Sequence, residues 1–252
     1  METIGQQNII QELRQLNDNL TLWLTESSDG QTFEVLTIKP NKDYQTLLDR
    51  LLKNEILPLV NQDIDGIQKV IRVDFDTVNK LHYIVYQHNE NLQPIYNPTI
   101  KALKSLLTGL DHLKKQNRFG FVISDETIIT NQSEASLRFV GLFELFKQQN
   151  LLNKKFLAPE LLENTRPSFQ SDIYSVFVCF AEILKTNNDE TLKEIFAKSL
   201  SAKRTSRFAK YSEIIEELDK VKVSANSIHK SGQTAIKVVV KRGSRNLFAD
   251  TK

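Results

Sequence analysis

"FLAPELLENTRPSFQSDIYSVFVCFAEIL", Phe156 to Leu184, is the stretch on which the fold turns. Its second half is an apolar run of helical length, predicted as one helix over Ser171–Lys185, and it holds the single cysteine, Cys179. Asp172, directly after Ser171, reads as an N-cap, a side chain that accepts from the free amides of the first turn. Downstream the pattern stays helical, with helices predicted over Glu190–Leu200 and Tyr211–Val221, and Thr99–Gln116 makes a further one upstream. Residues 99–220 therefore form an α-rich unit.

Before residue 99 the pattern changes. After a helical start come the strand-like runs "LTLWLT", "FEVLTIK", "GIQKVIRVDF" and "KLHYIVYQ", with "SSDGQ" (Ser27 to Gln31) as a hairpin turn. One amphipathic helix interrupts them, "DYQTLLDRLLKNEILPLV", whose Leu47, Leu48, Leu51, Leu52, Ile56 and Leu59 recur at helical spacing. "NLQPIYNP" (Asn91 to Pro98) is the linker. The expected fold class is α+β, a β-rich lobe over residues 1–90 and a helical lobe over 91–220, with 221–252 as an extension or the start of a further domain. That extension carries seven Lys or Arg against one Asp, a net of +6, and "AIKVVVKR" within it reads as a strand.

Composition excludes several classes. The 252 residues are 40% hydrophobic and 25% charged, ordinary for a globular chain with ample sequence for a core. A net charge of +2 gives no overall case for nucleic acid. No apolar run is long enough to span a bilayer, and "METIGQQNIIQELRQLNDN" lacks the apolar region of a secretory signal. One cysteine makes neither an internal disulfide nor a zinc cluster, and the expected location is the reducing cytoplasm. The four histidines, His82, His88, His112 and His229, are scattered without metal-ligand spacing.

Six segments, in order over about residues 8–220, resemble the protein kinase fold. "EVLTIKP" is similar to the strand that carries the kinase lysine, here Lys39. "LLDRLLKNEILPL" resembles the helix that presents its partner, here Glu55. "LHYIVYQHNENL" resembles the strand and hinge, with Tyr86 at the gatekeeper position. "FLAPELL" holds an intact APE motif in Ala158, Pro159 and Glu160. "SDIYSVFVCFAEIL" is similar to the central helix of the large lobe, with Asp172 matching, and "LSAKRTSRFAKYSEIIEEL" supplies Arg207 as the partner of Glu160. The resemblance implies that Lys39 pairs with Glu55, that Glu160 pairs with Arg207, and that Asp172 braces the catalytic turn through backbone hydrogen bonds. Without the resemblance, Lys39 is a solvated strand end and Glu55 a surface residue.

What the resemblance implies about catalysis is loss. Phosphoryl transfer needs a phosphate cradle, a metal site and a carboxylate near the attacking hydroxyl. No glycine lies between Gly5 and Gly30, and "ELRQLNDN" (Glu12 to Asn19) stands where the glycine-rich loop belongs. "RFGFVISDETIIT" puts Val122 at the catalytic aspartate and Thr127 at the metal-binding asparagine. Sliding the alignment offers Asp125 as a base but breaks the match of "TIIT" to the next strand. Gly141-Leu142-Phe143 takes the place of the DFG motif, with Phe139-Val140-Gly141 as the alternative register; neither holds a carboxylate for Mg²⁺. From Gly141 to Leu157 no Ser, Thr or Tyr is available for phosphorylation.

The chain thus resembles a pseudokinase with no catalytic residue and no metal site, and its richness in Asn, Lys and Ile points to a bacterial source. Lys39, Glu55 and Tyr86 are its vestigial nucleotide-binding residues, and Glu160, Asp172 and Arg207 are structural. The function expected is a regulatory module that acts on a protein partner or a further domain of its own chain, with neither membrane nor nucleic acid involved. "GLFELFKQQNLLNKKF" is a docking candidate unless its own lobe buries it. No cofactor is expected, and any ATP binding should be weak and independent of Mg²⁺. The alternative is a divergent nucleotide-binding domain with residual or altered transfer activity, using Lys39 and Glu55.

Overall fold

A computed structural model describes residues 1–95 and 98–221. The first lobe is a six-stranded antiparallel sheet in the order β1-β2-β3-β4-β6-β5. Its strands are β1 (Thr3–Ile4), β2 (Gln7–Gln15), β3 (Leu20–Glu26), β4 (Thr32–Ile38), β5 (Val70–Asp76) and β6 (Leu81–Gln87). Strict alternation in β3 and β4 gives the sheet two apolar faces. Leu20, Leu22, Leu36 and Ile38 join the main core, while Val35 joins a small outer cluster with Ile4, Leu81, Tyr83 and Val85. The Ser27–Gln31 turn closes the β3–β4 hairpin, with Gly30 at φ +83°.

The expected helical start is absent. Gln7–Gln15 is strand β2, paired to β3 from Asn8↔Glu26 to Gln15↔Thr21 with two irregularities. Asp76 anchors this N-terminal hairpin: it accepts from Gly5 N at 2.7 Å, Val78 N at 2.9 Å and Asn79 N at 2.8 Å. Burial pushes its carboxyl upward, but those amides outweigh it and hold Asp76 at about 2. The strand after Gly66 begins only at Val70, the preceding residues making an isolated bridge at Ile67↔Leu137.

The amphipathic helix is shorter than its sequence pattern. α1 (Gln45–Leu51) runs into a π-helical turn, Leu52–Ile56, and a 3-10 turn, Leu57–Leu59. The second lobe opens with β7 (Gln93–Pro94) and α2 (Ile100–Lys115), capped by Thr99, whose side chain accepts from Ala102 N. Leu103, Leu106, Leu110 and Leu113 bury one face of α2. Gly109 lets residues 65–67 cross closely, since a Cβ there would stand 2.2 Å from the Asp65 carbonyl. β8 (Ile128–Thr130) and β9 (Ala135–Leu137) complete a small antiparallel sheet with β7.

The remaining helices are α3 (Phe143–Gln148), α4 (Pro159–Leu162), α5 (Phe169–Cys179), α6 (Ile183–Thr186), α7 (Glu190–Ser199) and α8 (Tyr211–Asp219). The helix expected over Ser171–Lys185 is thus two, separated by a turn in which Phe180 remains fully buried. It also starts earlier than expected. Ser168 is the N-cap, in a reciprocal capping box with Ser171, and Asp172 lies inside the helix. The N-cap reading of Asp172 is therefore wrong. The basic segment and its "AIKVVVKR" run lie outside the described residues, which end at Val221.

Candidate functional site: the interlobe cleft

The turn that follows α2 is shaped by two constraints. Gly120, at φ +80°, packs against Pro167, where a Cβ would sit 2.6 Å from the proline Cβ. Its N–H donates to Asp172 Oδ2 at 2.8 Å, and Phe121 N–H donates to Asp172 Oδ1 at 3.0 Å. A carboxylate on a helix of the core thus holds two successive amides of the turn. Burial drives Asp172 up to about 7 against the opposing pull of those amides. Beyond them, Val122 is buried and Thr127 Oγ1 donates to its carbonyl at 2.7 Å while accepting from Ser124 N at 2.9 Å. Thr127 ties the turn to itself. A valine side chain can neither orient a hydroxyl nor take its proton.

Between the lobes lies a cavity of about 510 Å³. Leu13, Leu16 and Leu22 line it from the sheet, and Val122, Phe139 and Phe146 from the helical lobe. Its single lining carboxylate among the described residues, Glu126, is ion-paired with Arg14 across the mouth. The β2–β3 turn reaches down as well: Asn17 and Asn19 donate their side-chain amides to Gln149 Oε1 at 3.3 and 3.4 Å. No group of three or more His, Cys, Asp or Glu residues suited to a metal occurs among the described residues.

Beside the cavity is a buried polar cluster that sequence reasoning missed. Glu34 on β4 is 2% exposed and pairs with Arg138, which follows β9. Gln68 Nε2 donates to Glu34 Oε2 at 3.0 Å, and His88 lies 3.2 Å from Glu34 Oε1. Tyr86 is fully buried there, its hydroxyl without a partner and its ring edge-on to Phe139 at 6.0 Å. Burial, and then the Glu34 charge, push the Tyr86 phenol far upward. The signal was in the sequence: period-2 alternation places Glu34 on the same face as Leu36 and Ile38, an inward charge that needs a partner.

Lys39 and Glu55 are not brought together. Lys39 lies past the end of β4 and donates to the Asp18 carbonyl at 2.8 Å. Glu55 sits in the π-helical turn and faces Arg118, whose Nη1 is 3.3 Å from Glu55 Oε2 and 2.8 Å from the Glu55 carbonyl. The two candidate registers of the next motif fall differently on the elements. Phe139-Val140-Gly141 lies wholly in the loop after β9, whereas Gly141-Leu142-Phe143 runs from that loop into α3, with Leu142 at its N-cap. Gly141, at φ +84°, is required because a Cβ would meet Ile56 Cδ1 at 2.8 Å and Glu55 Cβ at 2.9 Å.

Glu160 and Arg207 meet away from the cleft. Arg207 Nη1 and Nη2 donate to the two Glu160 oxygens at 2.7 and 2.8 Å, a bidentate pair. Burial raises the Glu160 carboxyl, but Arg207 and the Ser171 hydroxyl outweigh it and the net shift is downward. The guanidinium further donates to the Ser201 and Gln170 carbonyls and lies 4.8 Å from the Tyr174 ring centre.

No protein-family model matches this sequence, and neither does any curated protein. Solved structures do. The kinase domain of Mycobacterium tuberculosis PknI superposes with a TM-score of 0.64 at 10% identity, covering 86% of this chain and 96% of that one. A double and a single mutant of that domain give TM-scores of 0.64 and 0.62 over the same coverage. At such identity the likeness carries the fold alone: this chain has a protein kinase-like fold, an antiparallel sheet lobe joined to a helical lobe.

Proposed function

We propose that this chain is a catalytically inactive kinase-like domain that works through its surfaces, as a regulatory module for a protein partner or a further domain of its own chain. The observation that supports this most is the cleft itself. Where transfer needs a proton acceptor and metal ligands, the turn offers Val122 and a Thr127 already committed to the Val122 carbonyl. The loop after β9 offers Phe139, Val140 and Gly141, and the one lining carboxylate among the described residues, Glu126, is ion-paired with Arg14. "GLFELFKQQNLLNKKF" is a poor docking surface, because Phe143, Leu145, Phe146 and Phe156 are buried in its own lobe. No described helix is long and apolar enough to cross a membrane; placement in a bacterial cytoplasm belongs to this proposal and agrees with the buried, unpaired Cys179.

The purified chain is expected to transfer no labelled phosphate from ATP to itself or to generic protein substrates. Incorporation that disappears in a Lys39→Ala variant would contradict the proposal, and loss on Asp125→Ala would point to the shifted alignment. The second reading, a divergent nucleotide-binding domain, draws on the 510 Å³ cavity and its largely apolar lining. Nucleotide titration separates the two readings.

A further inference from the structure

Where residues 63–67 cross α2, a groove of about 500 Å³ runs over the joint between the lobes. Asp63 and Asp65 line it from the sheet lobe, and Glu134 and Ser105 from the helical lobe, with no Lys or Arg among its lining residues. It continues into a hollow of about 130 Å³ that shares Asp63 and adds Gln68 and Lys69. Lys69 reaches Asp63 at 3.5 Å, whereas Asp65 and Glu134 are exposed and have no ion-pair partner among the described residues. Gln68, 5% exposed, lines the hollow, and its buried Oε1 accepts no hydrogen bond. Unpaired carboxylates in the groove, next to a hollow whose Gln68 carries an unsatisfied acceptor, suit a cationic, donor-rich ligand, which is the chemistry of a Lys or Arg side chain.

We propose that the occupant is the chain's own basic segment, residues 222–252, docked in cis. Charge favours it: the segment carries seven Lys or Arg and one Asp, a net of +6, which leaves −4 on the rest of a chain whose total is +2. Position favours it as well. Asp219, at the end of α8, is ion-paired with Lys104 on α2, and the next residue, Ser105, lines the groove. The last described residues therefore lie against α2, the helix that the groove crosses, and the first lysines of the segment act on it at high local concentration. Because carboxylates from both lobes form the rim, an occupied groove bridges the lobes at the joint. The proposal does not depend on whether the cleft catalyses.

The test is zero-length carbodiimide cross-linking of the full chain, read by mass spectrometry. Expected are amide links within one chain from Lys230, Lys237 or Lys241 to Asp65 or Glu134. Their yield should fall several-fold in about 1 M salt, where screening acts over ~3 Å. In the Asp65→Asn, Glu134→Gln variant, trypsin should cleave residues 222–252 several-fold faster. Both substituted side chains are exposed, so an unchanged melting temperature verifies the fold of the variant. Links to other surfaces, no links, or unchanged trypsin rates would overturn the proposal. Links found only between chains would also overturn it, making a second copy the occupant.

Discussion

Arg207 shows how much a single side chain holds together. Its side chain is 0% exposed and that of Glu160 13%, and the guanidinium joins α4, α5 and the turn before α8. A one-sided deletion strands an enclosed charge. Arg207→Ala is expected to cost about 3–5 kcal/mol in denaturant unfolding, and an unchanged melting temperature would show that the pair carries no load. Asp172 gives the residue scale a pH dependence. Its folded value is raised from 3.8 to about 7, so the unfolded chain loses this proton first as pH rises. The Asp172 contribution is complete below about pH 4 and is lost as pH climbs through 7, amounting to roughly a few kcal/mol. Comparing stability from pH 4 to 8, the native chain should lose more than an Asp172→Asn variant; parallel curves would contradict the shift. Glu160, Arg207 and Asp172 were legible in the sequence because their partners belong to one compact constellation of motifs. Lys39 and Glu55 were not, because the first lies beyond its strand and the second on a turn that aims it at Arg118.

At the scale of elements, the errors share a cause. Ile9, Leu13 and Leu16 recur at helical spacing, yet β2 is a strand whose side chains are mostly exposed, so no alternation marks it. Pairing with β1 and β3 and the Gly5 tether to Asp76 fix its form, and none of these shows in the periodicity of β2 itself. The π-helical turn after α1 has a similar origin. It brings Glu55 and Ile56 against the loop at Gly141, a contact that local periodicity does not encode. Gly141→Ala tests that contact. The positive φ alone costs about 1–2 kcal/mol in an L-residue, and the crowding at 2.8 and 2.9 Å adds to it. Urea unfolding should show a loss of at least that size; a neutral substitution would contradict both the backbone strain and the contact with the π-helical turn.

For the whole molecule, the order of elements was readable because sheet strands and helices segregate along the chain, while the content of the cleft was only half readable. The side chains of the turn and of the next loop, Val122, Thr127 and Phe139 to Gly141, were readable from the sequence. The ties that close the cleft were not: Arg14 to Glu126, Asn17 and Asn19 to Gln149, and Arg138 to Glu34 all join residues more than a hundred positions apart. Together they leave a cavity with arginines at its edges, a tyrosine behind it and no ligand set for a metal among the described residues. A phosphate would meet the β2–β3 turn without glycine amides, and the Lys39 ammonium, held by the Asp18 carbonyl, is a single exposed charge worth little in water. Calorimetric titration of the chain with ATP, with and without Mg²⁺, tests this most directly. The result predicted is weak or undetectable binding that is the same in both conditions. A low-micromolar dissociation constant that weakens about tenfold or more when Mg²⁺ is removed, a difference of about 1.4 kcal/mol, would contradict it.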